Sequence, residues 1–140
     1  MIERRNFYVN GKWVSPSKPN DFEVIDPSTE EPFAIISLGS TQDADDAINA
    51  AKTAFETWRE TTKEERLKLL QKFDEIYNRR WDEMVKAQST EMGAPLDFAS
   101  ETHTKMGADI SKNIIKILKD FNFEHQFDPS SNNYIRYEPI

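Results

Sequence analysis

Residues 24–40, VIDPSTEEPFAIISLGS, carry the clearest information about the fold, because two kinds of structure meet inside them. The extended apolar runs Phe22–Ile25 and Phe33–Leu38 flank the turn DPSTEE, in which Asp26 can accept hydrogen bonds from the backbone amides that follow it. This pattern predicts a β-hairpin. After Gly39 the apolar spacing changes from every second residue to the helical period. Strands therefore precede helices in this chain.

A second hairpin is predicted upstream, in the stretch FYVNGKWVS at residues 7–15. Its centre is Asn10-Gly11, and both central positions of a type I′ turn need a positive φ, which Asn and Gly tolerate best. The apolar residues on either side suit two short strands. The sequence does not say which strands pair beyond the hairpins.

The first predicted helix begins after Ser40 or Thr41, either of which can cap it. Aspartates in its first turn suit the positive end of the helix dipole. Its apolar face repeats at spacings of three and four residues from Ala44 to Trp58. Small alanines dominate that face, so we expect a close neighbour.

A second helix is predicted to begin at Thr62, which forms a reciprocal capping pair with Glu65 three residues later. We expect one continuous helix, because a single apolar stripe runs on from its first turns. The members of that stripe are Leu70, Phe73, Tyr77, Trp81, Met84 and Gln88.

Gly93 and Pro95 separate this helix from a third, since glycine suits the left-handed position after a helix and proline suits the first turn of the next. The third helix follows an apolar stripe from Ala99 to Phe121 that includes His103. Gly107 in its middle costs about 1 kcal/mol relative to alanine, which indicates a close packing contact. A polar loop, FNFEHQFDPSSNN, and a strand from Tyr134 are expected to follow.

These elements predict an α+β segment in three parts. Residues 1–39 form β-hairpins, residues 40–122 form a region of three long amphipathic helices, and residues 123–140 form a loop and a C-terminal strand. The apolar fraction is 37% and the charged fraction 31%, so the chain has little material for a thick core.

The charge and composition exclude several function classes. Asp and Glu number 25 against 18 Lys and Arg, giving a net charge of −7, and nucleic-acid binding needs a positive surface. No apolar run is long enough to span a membrane. The chain has no cysteine, so it offers no thiolate nucleophile. We expect a cytoplasmic protein without nucleic-acid or membrane partners.

Neither a cofactor cradle nor a metal cluster is predicted. The four glycines are far apart, whereas a dinucleotide-binding turn needs glycines at short intervals. The two histidines are separated as well: His103 lies on an apolar stripe and suits a core or interface position, and His125 lies in the polar loop. No catalytic residue is assigned.

The ordered motifs FYVNGKWV, VIDPSTEEPFAIISLGS, AFETWRE, ERLKLL, TEMGAPL and YIRYEPI resemble the opening of an NAD(P)-dependent aldehyde dehydrogenase. Each motif is weak by itself, but the set in this order covers nearly the whole chain. The resemblance implies that these residues are part of the α/β aldehyde dehydrogenase fold. It also implies a parent enzyme that oxidises aldehydes to carboxylic acids with NAD or NADP through a cysteine thioester.

The resemblance implies two roles for residues present here. Ile25, through its backbone carbonyl, and Glu91, through its carboxylate, match positions that hold a monovalent cation in some members of the family. Tyr134, Arg136 and Glu138 match a strand of the family's oligomerisation sheet. We expect a homo-oligomer. The cation site would be incomplete, and the alternative for Glu91 is a solvated or capping residue near a helix end.

The last residues, NNYIRYEPI at 132–140, resemble the family's entry into the cofactor domain, one residue short of an expected glycine. We therefore expect Ile140 to be a cut, and the 140-residue segment to be inactive and to bind no cofactor. The alternative is a stand-alone acidic helical module that binds a protein partner through its apolar stripes. A third hypothesis, an acidic decoy for a basic partner, predicts binding that salt abolishes.

Overall fold

The structure, a computed structural model, describes residues 1–139. It contains short N-terminal strands, a group of helices and a C-terminal pair of strands, so the predicted α+β class is confirmed. None of the helices in residues 1–139 is long and apolar enough to cross a membrane.

The N-terminal sheet has three strands in the order β1 (Ile2–Arg4), β5 (Glu31–Ser37) and β4 (Asp21–Asp26). The predicted hairpin is present: β4 (Asp21–Asp26) pairs antiparallel with β5 (Glu31–Ser37), and Asp26 accepts from the Ser28 amide at 2.8 Å in the turn. The sequence did not reveal the third strand, β1 (Ile2–Arg4), which pairs parallel with β5.

The second predicted hairpin is also present, between β2 (Phe7–Val9) and β3 (Lys12–Val14). Asn10 has φ 51° and Gly11 has φ 75°, as a type I′ turn requires. The Tyr8 and Trp13 rings meet edge to face across the strands, with their centroids 5.3 Å apart.

Helix α1 (Thr41–Trp58) begins at a complete capping box. Ser40 Oγ accepts from the Asp43 amide, and the Asp43 carboxylate accepts from the Ser40 amide at 2.8 Å. The same carboxylate accepts from the Ser17 amide at 2.8 Å. One aspartate therefore caps the helix and fixes the connector between the two hairpins.

The second predicted helix is two helices in the structure, α2 (Lys63–Arg79) and α3 (Trp81–Met92). Arg80 leaves the helical conformation, with φ −98° and ψ 23°, so the expectation of one continuous helix is corrected at this residue. Directly after this break, the Trp81 indole N–H donates to Ser100 Oγ at 3.1 Å. The apolar stripe continues across the break, which is why periodicity alone did not show it.

Beyond Gly93, which has φ 70° as predicted, the chain forms α4 (Leu96–Phe98), a π-helical segment (Ala99–Thr104) and α5 (Lys105–Asp120). Helix α5 packs on α2. The Tyr77 hydroxyl donates to the Thr104 carbonyl at 3.1 Å and lies against Gly107, so the close contact predicted at Gly107 is confirmed.

The C-terminal residues form a small antiparallel sheet of β6 (Glu124–Gln126) and β7 (Tyr134–Arg136). The expected C-terminal strand is β7. The stretch expected to be only a loop contains β6, so that expectation was wrong. In FEHQF, every second residue has an aromatic or imidazole side chain. This alternation is typical of a strand.

We expect Gly107→Ala to lower the free energy of unfolding by about 1–2 kcal/mol, although alanine favours helix by about 1 kcal/mol. A Cβ at this position would lie 2.9 Å from Tyr77 Cζ and closer still to its hydroxyl oxygen. Urea unfolding followed by circular dichroism measures the change. Gly39→Ala is the matched control, because its Cβ would be 3.7 Å from the nearest atom. A stabilised Gly107→Ala protein would contradict the packing argument.

Stability should also depend on pH through Asp43. The hydrogen bond from the Ser40 amide is the main cause that lowers the pKa of Asp43 to about 2, and the hydrogen bond from the Ser17 amide adds to it. Because the folded pKa lies below the usual value of about 3.9, the stabilisation is complete above about pH 4 and is lost as the pH falls towards 2. The difference in urea midpoint between wild type and Asp43→Asn should therefore shrink over this interval. The control variant Asp45→Asn should follow the wild-type dependence; a constant gap for Asp43→Asn would refute this assignment.

Candidate functional site

The β6–β7 ribbon carries the three residues predicted to act in oligomerisation. Tyr134 and Arg136 lie on β7, and Glu138 follows it, with its carboxylate 3.5 Å from Arg136 Nε. Tyr134 is 62% exposed. The exposed ion pair contributes little stability, on the order of 0–1 kcal/mol.

The hydrogen-bond pattern of the ribbon shows which way the backbone of β7 faces. The Tyr137 amide donates to the Phe123 carbonyl and the Phe127 amide to the Asn133 carbonyl, both at 2.8 Å. Since backbone groups alternate along an antiparallel strand, Ile135 also faces β6, whereas Tyr134 and Arg136 direct their amide and carbonyl groups to the opposite edge. Within residues 1–139, no further strand joins this sheet.

The outward edge of β7 is therefore a row of backbone donors and acceptors available to another strand. Of the three predicted oligomerisation residues, Tyr134 and Arg136 lie in β7 and have outward-facing backbone groups. The sequence shows that these residues alternate along a strand, and the hydrogen bonds show that their backbone groups face away from β6.

A groove of about 370 Å³ lies beside the ribbon, between β7 and the connection from α1 to α2. Its lining includes four basic side chains, Arg59, Lys63, Arg66 and Arg136, and two acidic ones, Glu60 and Glu138. None of these except Arg136 and Glu138 was singled out from the sequence, because residues from distant segments meet there only in the folded chain.

Two of the basic side chains in this groove donate hydrogen bonds to carbonyls at the ends of helices. Lys63 Nζ donates to the Lys119 carbonyl at 3.1 Å and to the Phe121 carbonyl at 3.4 Å, joining the start of α2 to the end of α5. Arg66 donates to the Trp58 and Arg59 carbonyls at 3.4 and 3.2 Å, at the end of α1. Positive side chains at helix C-termini are favourable, and these fix the helices from which the ribbon extends.

The segments that carry the predicted cation ligands also meet. Ile25 lies near the end of β4 and Glu91 in the last turn of α3, and these two elements pack together. The ring of Pro27 lies so close to Gly93 that a Cβ there would be 3.0 Å from Pro27 Cγ. Ile25 is opposite Pro32, which has no amide hydrogen to donate to the Ile25 carbonyl.

The two histidines do not form a metal site in the described part of the chain. His103 lies in the π-helical segment, where its ring meets Phe98 edge to face at 4.9 Å and its Nδ1 is buried without a hydrogen-bond partner. His125 lies in β6 and is exposed. Residues 1–139 contain no group of three or more His, Cys, Asp or Glu side chains placed to hold a metal ion.

Comparison with known proteins now decides the family. The model of the aldehyde dehydrogenase family matches residues 13–140. The chain belongs to the aldehyde dehydrogenase family. Among its relatives, 3-succinoylsemialdehyde-pyridine dehydrogenase of a Pseudomonas species is 38% identical over 125 residues, which are 89% of this chain and 26% of the relative.

Solved structures of aldehyde dehydrogenases have the same arrangement of elements. The enzyme from Bartonella henselae shares 50% identity and a TM-score of 0.92 over 94% of this chain and 28% of that one. A variant of aldehyde dehydrogenase C from Pseudomonas syringae, solved with NAD+ and octanal, shares 31% identity and a TM-score of 0.86 over 89% of this chain and 26% of that one. The chain thus corresponds to the N-terminal segment of an aldehyde dehydrogenase and spans about a quarter of the length of these relatives.

If the outward edge of β7 joins another strand, Arg136→Pro should shift the protein towards the monomer, because proline removes the outward amide donor at that position. Arg136→Ala is the matched control, since it removes the same charge and keeps the amide. Light scattering over a concentration series should show self-association for wild type and Arg136→Ala, and less for Arg136→Pro. Equal association of all three proteins would show that this edge is not the contact.

Proposed function

We propose that this chain is the N-terminal structural and assembly segment of an NAD(P)-dependent aldehyde dehydrogenase, and that by itself it catalyses nothing. The observation that carries the proposal is the family match over residues 13–140, together with the close structural agreement with the Bartonella henselae enzyme. The domain division at residues 39 and 122 stays a prediction within this proposal. So do homo-oligomeric assembly and a cytoplasmic location.

The reaction proposed for the whole enzyme is aldehyde plus NAD(P)+ plus water to carboxylic acid plus NAD(P)H plus a proton. A cysteine thiolate adds to the aldehyde carbonyl, the resulting thiohemiacetal loses a hydride and a proton to become a thioester, and water hydrolyses the thioester to the carboxylic acid. The nicotinamide cofactor supplies the acceptor for the hydride. The present sequence contains no cysteine, so the thiolate must come from outside these residues.

The residues present do not fit a dinucleotide cofactor. Gly11 serves a hairpin turn, Gly93 ends a helix, and Gly107 admits the Tyr77 side chain, so each has a structural task away from the others. A pyrophosphate cradle needs several backbone amides converging at one strand-to-helix turn. We therefore assign the chain no step of the hydride transfer. Its proposed contributions are to present the β7 edge for assembly and to support the parts that perform the reaction.

We also propose that Ile25 and Glu91 supply two oxygen ligands to a monovalent cation. The support is the packing of α3 on β4, the proline opposite Ile25, and the negative end of the α3 dipole beside Glu91. Carbonyl and carboxylate oxygens suit hard cations, but two ligands are too few, so the others must lie elsewhere. In a chimera that carries this chain in place of the matching N-terminal segment of the Bartonella henselae enzyme, K+ should raise thermal stability relative to a bulky organic cation, and Glu91→Gln should remove that difference. An unchanged K+ effect in Glu91→Gln would argue against this site.

The proposed function is tested with a chimera in which this chain replaces the matching N-terminal segment of the Bartonella henselae aldehyde dehydrogenase. The chimera should form NADH from NAD+ and an aldehyde such as octanal, whereas the 140-residue chain alone should form none and should not bind NAD+ in a calorimetric titration. The unmodified enzyme is the positive control. Aldehyde turnover by the purified chain alone would overturn the claim that it is inert, and a folded but inactive chimera would overturn its place in the enzyme.

The stand-alone interaction module is the less favoured alternative. It requires that the family match and the structural agreement reflect fold alone, whereas both cover most of the chain in order. It predicts an inactive chimera and a partner unrelated to aldehyde dehydrogenases.

A further inference from the structure

The turn between β2 and β3 places the side-chain amide of Asn10 next to the backbone amide of Gly11. Both residues are exposed, and both have a positive φ, 51° for Asn10 and 75° for Gly11. In a two-residue turn the hydrogen bonds join the flanking pair, here Val9 and Lys12, so the Gly11 amide has no acceptor inside the turn. Within residues 1–139, neither this amide nor the Asn10 side chain forms a hydrogen bond. The two groups are therefore adjacent and unprotected.

The glycine at position 11 leaves its own amide nitrogen open to approach. A Cβ built at this residue would meet no atom within 4 Å, so the space on that side of the turn is empty. No other asparagine in the sequence precedes a glycine. Asn6, for example, precedes Phe7, whose side chain crowds the amide that follows the asparagine. A reaction between the two groups should therefore be specific to Asn10.

We propose that Asn10 is a site of spontaneous deamidation. The Gly11 nitrogen attacks the side-chain carbonyl carbon of Asn10, so a bond forms between these atoms and the bond from that carbon to the side-chain nitrogen breaks. Ammonia leaves with the proton of the Gly11 amide, and a cyclic succinimide remains. Water then opens the succinimide: attack at the side-chain carbonyl gives aspartate, and attack at the main-chain carbonyl gives isoaspartate. The reaction consumes only water and changes no oxidation state.

Opening of the β2–β3 hairpin controls how often this reaction occurs. Ring closure requires rotation about the Asn10 Cα–C bond, which the closed turn holds in the left-handed conformation. Within residues 1–139, β2 and β3 have three residues each and pair only with each other. An isolated two-stranded hairpin is marginally stable, so this one opens readily. The edge-to-face contact of the exposed Tyr8 and Trp13 rings favours the closed form.

The products of deamidation disturb the start of α1 as well as the hairpin. Isoaspartate adds one carbon atom to the main chain of the turn, which no longer suits the register of β2 and β3. Strand β3 leads into the connector in which the Ser17 amide donates to the Asp43 carboxylate at 2.8 Å. Either product also adds a negative charge to the groove of about 190 Å³ that Asn10 lines together with Asp43 and Asp46. Deamidation should therefore weaken the hairpin and the cap of α1.

The test follows one tryptic peptide of the full chain during incubation at mildly alkaline pH. Trypsin releases residues 6–12, NFYVNGK, which contain Asn10 together with Asn6 as an internal control. Fragmentation of this peptide in the mass spectrometer identifies the modified residue, and an isoaspartyl methyltransferase labels the isoaspartate product. Asn10→Gly is the matched control variant, because Gly-Gly also suits a type I′ turn and has no side-chain amide.

We expect Asn10 to deamidate faster than Asn6 by about tenfold or more, because only Asn10 precedes a residue without a side chain. Hydroxylamine, which cleaves the chain at a succinimide, should cut the wild type between Asn10 and Gly11 and leave Asn10→Gly intact. Trp13→Ala should accelerate deamidation by about two- to tenfold, because it removes the ring contact that favours the closed hairpin. Deamidated wild type should have a lower urea midpoint than fresh protein, whereas incubation should leave the midpoint of Asn10→Gly unchanged.

Three other outcomes would contradict the proposal. An unmodified Asn10, or equal rates at Asn10 and Asn6, would overturn the assignment of the site. An unchanged rate in Trp13→Ala would show that the closed turn reacts, contrary to the opening step. An unchanged urea midpoint after deamidation would refute the effect on the hairpin and on α1. None of these measurements depends on aldehyde turnover, so their failure is separate from a failure of the proposed function.

Discussion

The close approach of Tyr77 to α5 is the contact on which the helical part of the chain depends. The Tyr77 hydroxyl bonds to the Thr104 carbonyl, where the π-helical segment gives way to α5, and lies against the glycine one turn later. Only a residue without a side chain at position 107 leaves room for that ring. The glycine weakens the helix by about 1 kcal/mol. In return, α2 and α5 pack closely together, and this contact fixes the orientation of α5.

That short distance also explains the thin interior. Small residues, Gly107, Ala108 and Ser111, lie on the covered side of α5, while Met106, Ile110 and Ile117 remain exposed. The buried residues of the described chain are three alanines and three polar residues, Ser37, Thr104 and Ser111, and Ser111 Oγ donates to the Asp74 carboxylate. A chain built in this way has surfaces that suit further packing partners.

For the proposed functional residues, part of the information came from the sequence and part from the folded structure. Tyr134, Arg136 and Glu138 could be chosen from their alternation and from the family resemblance. Their outward direction required the hydrogen bonds of Tyr137 and Phe127 to the neighbouring strand segment. Ile25 and Glu91 came from resemblance only, and what the structure adds is the contact between Pro27 and Gly93 that brings their segments together. The groove beside the ribbon, which Lys63 and Arg66 help to line, could not be predicted from local pattern, because its residues come from distant segments.

The sequence by itself determined the features that depend on neighbouring residues: the Asn10-Gly11 turn, a cap at the start of the first helix, the capping box at Thr62, the left-handed Gly93 and the order of motifs that marks the family. Each of these is set by the conformations or hydrogen bonds available within a few residues. Only the tertiary structure decided that Ile2–Arg4 joins the sheet in parallel and that the long helical stripe is broken at Arg80. It also decided which apolar side of α5 is covered. Those outcomes depend on contacts between residues far apart in the chain, and a single sequence carries no direct record of such distances.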